Sequence, residues 1–230
     1  MSGYYAQKLS GKRLQRCYDV ASERVKQYLE AEVRHVMDRL RPTDSVLELG
    51  CGYGRVAWRL ARVARRVVGI DTAAESLELA RQSVVPGIDC EFLLMDAVDL
   101  RFPASSFDAV VCLQNGICAF RVDQVALLEE ALRVTRPGGI VLFSTYSDRF
   151  WPERLEWFEA QAAEGLVGAV DRGASGDGVI VCEDGFRAGR LTPEKFSSLC
   201  SRLGVEAEIT EVDGSSVFCE IRVATAIQAT

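Results

Sequence analysis

The sequence predicts an α/β chain: a mostly parallel sheet with helices on both faces, ending in an antiparallel hairpin. Three observations predict it. From residue 43 onward, short β-branched runs alternate with segments of helical periodicity, the pattern of βαβ units. A glycine-rich loop joins the first run to the first helical segment. Near the C-terminus, two further runs, 205–212 and 217–223, are separated by Asp213-Gly214, a hairpin turn. The runs 46–49, 66–70, 90–94, 107–113 and 140–145 are short and bounded by polar residues or glycine, as strands buried on both faces are. With the hairpin they make seven strands.

The remaining elements follow from spacing. Ahead of the sheet, Leu14, Cys17, Tyr18 and Ala21 form a short helical stripe, and Val25, Leu29, Val33, Val36, Met37 and Leu40 a longer one. Val56, Leu60 and Val63 predict a helix over 55–64, and Thr72 and Glu75 have capping-box spacing ahead of Leu77, Leu79 and Ala80. Val125, Leu128 and Leu132 share one face of a helix over 122–134, and Pro137-Gly138-Gly139 ends that unit. Behind the fifth strand, 151–163 reads as helical. A Gly/Ser/Asp loop over 173–178, an apolar run 179–182 and a turn at Asp184-Gly185 then suggest a small hairpin. Thr192-Pro193-Glu194 opens the last helix with an N-cap, a proline at its first position and an acid in its first turn. The 230 residues divide as one domain: N-terminal cap helices over 1–42, a core over 43–147, an insertion over 148–190, and a final helix and hairpin over 191–230.

Apolar residues make up 48% and charged residues 26%, which excludes disorder and coiled coil. Twenty-seven Lys and Arg against 33 Asp and Glu give a net charge of −6, unfavourable for a nucleic-acid partner. The first eight residues are polar and no stretch reaches the ~20 apolar residues of a membrane span, so the expectation is a cytoplasmic protein with no membrane partner. Cys17, Cys51, Cys90, Cys112, Cys118, Cys182, Cys200 and Cys219 are scattered, with no C-x-x-C pair and a single histidine, His35. They read as small buried hydrophobes, and no metal site is expected.

The segment Val46-Leu47-Glu48-Leu49-Gly50-Cys51-Gly52-Tyr53-Gly54-Arg55 runs from strand through glycines into helix, which lets a ligand approach the main chain closely. An acid about 20 residues on, at the end of the second strand, would accept hydrogen bonds from ribose hydroxyls, and Asp71 stands there. The dinucleotide fingerprint G-x-G-x-x-G fails, because position 55 is arginine and the third glycine is Gly54.

An acid, one residue, then G-x-G-x-G resembles the first motif of the class I S-adenosylmethionine-dependent methyltransferases, matched by Glu48, Gly50, Gly52 and Gly54. Met95-Asp96-Ala97, the run from Phe107 through Cys112, and the turn from Leu132 through Gly139 resemble later motifs of that family in the same order, over about 40–147. The resemblance implies a Rossmann-like seven-stranded sheet and S-adenosylmethionine as cofactor, with S-adenosylhomocysteine as product. It further implies that Gly50, Gly52, Gly54 and the Cys51 backbone line the methionine portion, that Glu48 positions the amino group through the loop, and that Asp71 takes the ribose. Thr72 would flank the adenine, Asp96 and the Ala97 amide would meet its edge, and Gln114 would approach the methionine end. Cys51 itself reads as a packing residue, because nothing basic identifies an activated thiol.

A sulfonium methyl is already activated, so transfer needs alignment and exclusion of water more than a general base, and no catalytic base is assigned. Acceptor contacts should come from beyond the strand ends, where Tyr4, Tyr5, Asn115, Tyr146, Phe150 and Trp151 are candidates; Trp157 reads rather as the underside of a lid. The expected partner is a small-molecule acceptor, with a fainter likeness to glycine and sarcosine N-methyltransferases in the segment 113–116 and the insertion. An RNA or protein methyltransferase stays open through Lys8, Lys12, Arg13, Arg16, Arg55, Arg59, Arg62, Arg65 and Arg66, which could form a basic face. A non-catalytic S-adenosylmethionine-binding sensor or partner subunit also stays open.

Overall fold

The computed structural model describes residues 4–83 and 86–225, apart from the side chains of residues 5 and 6. In chain order the elements are α1 (Tyr4–Lys8), α2 (Gly11–Asp19), α3 (Glu23–Met37), β1 (Ser45–Leu49), α4 (Ala57–Leu60), β2 (Arg66–Asp71), α5 (Ala74–Gln82), β3 (Cys90–Leu94) and β4 (Phe107–Cys112). Then follow α6 (Gly116–Ala119), α7 (Gln124–Val134), β5 (Thr135–Tyr146), a 3₁₀ turn at Asp148–Phe150, α8 (Trp151–Ala163), β6 (Ile180–Val181), β7 (Arg187–Ala188), α9 (Pro193–Arg202), β8 (Glu208–Val212) and β9 (Ser216–Arg222). One seven-stranded sheet has the order β3-β2-β1-β4-β5-β9-β8. Its first five strands are parallel, and β9 enters antiparallel between β5 and β8.

Strand alternation sorts side chains to two faces. Leu47, Val68, Val110 and Val141 pack with α7 and α9 residues such as Leu128 and Phe196; Val46, Val67, Ala109 and Leu142 pack under Val33, Val36 and Leu60. Both faces are covered, so β1 is buried along its whole length. The chain reverses its direction of travel across the sheet between β1 and β4, which opens a crevice at the carboxyl ends of β1, β2 and β4.

Three local expectations change. The helix after the glycine loop is only α4; from Gly54 to Ala64 the main chain mixes i→i−3 and i→i−4 bonds. The Thr72/Glu75 capping box does not form: α5 is entered from Ala73 without a side-chain cap, Asp71 Oδ1 accepts from the Ala73 amide, and Glu75 takes the Ser10 hydroxyl at 2.6 Å. The Pro137-Gly138-Gly139 turn lies inside β5, as an irregularity where the register jumps from Phe107↔Thr135 to Ala109↔Ile140. The α9 cap follows the sequence reading, with Thr192 accepting from the Lys195 amide, and the small insertion hairpin forms as β6 and β7.

Candidate functional site

At the carboxyl ends of the parallel strands lies one cavity, with a volume of about 190 Å³. Its floor comes from the β1 loop (Glu48, Gly50, Cys51, Gly52), the β2 end (Asp71, Thr72), Met95-Asp96-Ala97, and Leu113-Gln114. Its roof comes from α2 and α8 through Leu14, Cys17, Tyr18, Trp157, Phe158 and Gln161, with Tyr146 at the end of β5.

The floor is shaped by backbone that only glycine tolerates. Gly50 and Cys51 both donate to the Ile70 carbonyl, at 2.8 and 2.9 Å, which folds the loop back on β2. Gly50 has φ +73°, and a Cβ there would overlap the Phe120 ring; Gly52 has φ +52° and faces Leu14 of the roof. The Gly52 amide donates to Asp71 Oδ2 at 2.8 Å, tying the loop to the acid that sequence spacing singled out. Burial raises the Asp71 carboxyl, against the amides of Ala73, Gly52 and Thr72.

Among the described residues, several buried polar atoms at the floor have no hydrogen-bond partner: Glu48 Oε2, Arg55 Nη2 and Gln114 Nε2. Burial lifts the Glu48 carboxyl to about 8, despite the opposing charge of Arg55. Gln114 and Asn115 are successive non-glycine residues with φ +53° and +65°, a strained stretch of the kind found where a site must be held in place. It is pinned on every side: the Gln114 amide donates to buried Glu32 (3.0 Å) and to Ser144 Oγ (2.9 Å), and Tyr18 donates to Gln114 Oε1 at 3.0 Å. Burial raises Glu32 to about 7, and its Oε1 has no partner.

Of the ten expected cofactor residues, nine line the cavity. Gly54 does not; at φ +82° it packs against Phe92 and Ala80, so its role is helix–strand contact. Cys51 is buried and its thiol is pushed far up, first by burial, consistent with packing beneath Gly69. Of the acceptor candidates whose side chains are described, only Tyr146 reaches the cavity. Asn115 turns inward, donating to the Gly189 carbonyl (2.9 Å) and accepting from Thr145 (2.7 Å). Phe150 is fully buried against Tyr28, Trp151 packs in the insertion's own cluster, and Tyr4 bonds Asp184 and meets the Phe186 ring at 4.8 Å. The Tyr5 side chain lies outside the described residues.

Residues 46–139 match a family described as "Methyltransferase domain". The motif order, the strand order and the glycine floor agree with that match. The chain carries a class I S-adenosylmethionine-dependent methyltransferase domain. This methyltransferase domain is 41% identical over 105 residues to malonyl-[acyl-carrier protein] O-methyltransferase of Yersinia pestis, across 45% of this chain and 37% of that protein. It is 32% identical over 114 residues to 2-methyl-6-phytyl-1,4-hydroquinone methyltransferase of Synechocystis, across 49% and 35% of the two chains. The chain thus spans well under half the length of these two curated relatives. Among solved structures, a Pyrococcus horikoshii protein superposes with TM-score 0.66 at 23% identity, over 89% of this chain and 93% of that one. A Methanosarcina mazei SAM-dependent methyltransferase gives 0.63 at 20% identity, over 83% and 97%; both likenesses concern the fold.

Among the cavity-lining residues outside the sequence reading of the site are Cys17, Tyr18, Arg55 and Gln161. Tyr18 and Cys17 read as core stripe and Arg55 as surface charge, whereas all three line the cavity, and Arg55 sits 4.7 Å over the Tyr18 ring. Gln161, on α8, lines it as well. The alternation of α2, with Leu14 and Tyr18 four apart on one face, was the available signal. The basic residues proposed as a nucleic-acid face are largely engaged: Arg59 with Glu30, Arg66 with Glu91, Arg16 with Glu164, and Arg13 with the Gly165 and Leu166 carbonyls. His35 bridges α3 to β9 through Glu220 at 2.8 Å. Among the described residues, no helix is long and apolar enough to cross a membrane.

Proposed function

We propose that the protein transfers a methyl group from S-adenosylmethionine to a small-molecule acceptor. The observation that carries this reading is the cavity itself: a floor of glycine backbone and unpartnered buried polar atoms, roofed by α2 and α8. The orphaned atoms fit the cofactor's methionine end. Glu48 Oε2 would accept from its ammonium, and Arg55 Nη2 and Gln114 Nε2 would donate to its carboxylate. The Gly50–Gly52 turn would take the methionine backbone where a side chain would collide. Asp71 would accept from the ribose hydroxyls, Asp96 and the Ala97 amide would meet the adenine edge, and Thr72 would flank it. When bound, the cofactor would supply a sulfonium methyl already activated for in-line displacement by an acceptor lone pair, with the acceptor's proton passing to solvent. The chain's contribution is alignment and dryness, supplied by the N-terminal helices from Tyr4 onward and the lid insertion 148–190 over the core 43–147.

A roof tied to the core through Tyr18 and Ser10 favours a small acceptor over RNA or protein, as does the pairing of Arg16, Arg59 and Arg66 with acids. Eight free thiols suit a reducing, cytoplasmic setting. Titration calorimetry with S-adenosylhomocysteine tests the reading. Saturable one-to-one binding is expected, weakened at least ~10-fold, about 1.4 kcal/mol, in Asp71→Ala, in line with a lost hydrogen bond to a charged group. Absence of binding to the folded wild-type protein would sink the proposal.

A further inference from the structure

The acceptor half of the cavity has a chemistry of its own, and it rests on the methyltransferase reading above. Among the described residues, four charged side chains line the cavity: Glu48, Arg55, Asp71 and Asp96. All four belong to the floor, and Arg55 is the sole cation among them. Arg55 lies over the Tyr18 ring, with Nη2 unpartnered, where the cofactor's carboxylate would claim it.

On the roof side, the wall is Cys17, Tyr18, Tyr146, Trp157, Phe158 and Gln161, and none carries a charge. The rings are mutually fixed: Tyr18 stands 5.9 Å from Trp157, and the Trp157 indole donates to the Cys17 carbonyl at 2.8 Å, so Trp157 offers only its face. Tyr18 spends its hydroxyl proton on Gln114. Burial pushes the Tyr18 hydroxyl up to about 12 and raises Tyr146 further, so both stay neutral at any physiological pH. Arg154 lies behind Tyr146, its guanidinium 4.1 Å from the ring, and it donates to the Gly178 and Ala188 carbonyls of the insertion, so Tyr146 screens it from the chamber. Buried Glu32 stands behind the Gln114 backbone, outside the lining.

A charged acceptor entering this chamber would lose its hydration and meet no counter-charge, which is costly for a carboxylate or an ammonium. A flat uncharged ring would lose little and gain aromatic contact. We propose that the methyl acceptor is a small uncharged aromatic compound, seated between Tyr18, Tyr146 and Trp157, and not a carboxylate or an amino acid.

The test uses the full chain saturated with S-adenosylhomocysteine and three probes, p-cresol, 4-hydroxybenzoate and sarcosine, followed by ligand-observed NMR and calorimetry. p-Cresol is expected to bind at least tenfold more tightly than 4-hydroxybenzoate, which differs by a carboxylate in place of the methyl, and more tightly than sarcosine. Gln161→Arg places a guanidinium in the chamber and is expected to shift the ratio at least threefold toward 4-hydroxybenzoate; an unchanged ratio in the folded variant overturns the assigned seat. Preference for either charged probe, or no binding of p-cresol, overturns the proposal. If 4-hydroxybenzoate binds and Arg55→Met abolishes that binding, Arg55 serves the acceptor and the charge assignment is wrong. The two readings fail separately: S-adenosylhomocysteine binding with an anionic preference defeats only the acceptor class, whereas no binding of it defeats both.

Discussion

The floor of the cavity is assembled from residues close in sequence, and its roof from residues at opposite ends of the chain. Gly52 reaches Asp71 across 19 residues, along two adjacent parallel strands. Trp157 reaches the Cys17 carbonyl across 140, Arg13 reaches Gly165 across 152, and Tyr4 reaches Asp184 across 180. A floor of this kind is specified by strand order and two turns, and it holds its ligand groups through backbone. A roof of this kind exists only once the two ends have packed, and it presents side chains. The floor residues fall inside the 46–139 span that matches the methyltransferase family, and the roof helices α2 and α8 fall outside it.

The sharpest way to break the distinction is to remove the side chain that pins the roof. Trp157 is 7% exposed and its indole bond is buried. Trp157→Ala should cost about 3 kcal/mol in denaturant unfolding, the usual range for a large buried aromatic. S-adenosylhomocysteine affinity should fall less than ~10-fold, about 1.4 kcal/mol, since Gly50, Gly52 and Asp71 stay in place. A fall beyond ~100-fold in the folded variant would mean that floor and roof act as one unit.

The same contrast governs what could be read from the sequence. Glu48, Asp71, Asp96 and Gln114 were legible because each sits at or just past the end of a parallel strand, and parallel strands bring their carboxyl ends to one edge. Asn115, one residue further, misled: its left-handed backbone turns the amide away from the cavity, onto Thr145 and Gly189. Phe150 and Trp151 follow a strand end too, but they fill apolar clusters beneath the roof. Tyr18 and Gln161 carried no local mark, because helical periodicity says which face is buried and not what covers it. Gly54 matched a motif position, and its work is contact with Phe92.

A second test acts on the floor alone, through pH. Glu48 ionises in the folded chain only near pH 8, against an ordinary value of 4.5. Burial is the main cause. The raised value means the buried carboxyl favours the folded state fully below the ordinary value, and that contribution disappears as pH rises through the folded one. The ligand-free protein should therefore lose thermal stability between about pH 5 and pH 8, and Glu48→Gln should flatten the upper part of that slope. Thermal melts across this window check it, and an unchanged slope in the variant would assign the loss elsewhere, with buried Glu32, raised to about 7, the next group to replace.

The smallest expected effect lies at the roof's outer seam. Arg16 and Glu164 pair at 2.9 Å, but their side chains are 50% and 43% exposed. Both are already solvated, so the pair gains little from contact and loses side-chain freedom in making it; Arg16→Ala should change stability by no more than ~0.5 kcal/mol. Raising sodium chloride from about 0.05 to about 0.5 M should likewise leave the melting temperature of this seam's variant and of the wild type equally spaced. Set beside the loss expected for Trp157→Ala, that result would assign the hold between the two halves of the roof, α2 and α8, to buried aromatic surface and one indole bond. A loss above ~1 kcal/mol in Arg16→Ala, shrinking as salt rises, would assign it to charge instead, and would make roof closure sensitive to ionic strength where the floor is not.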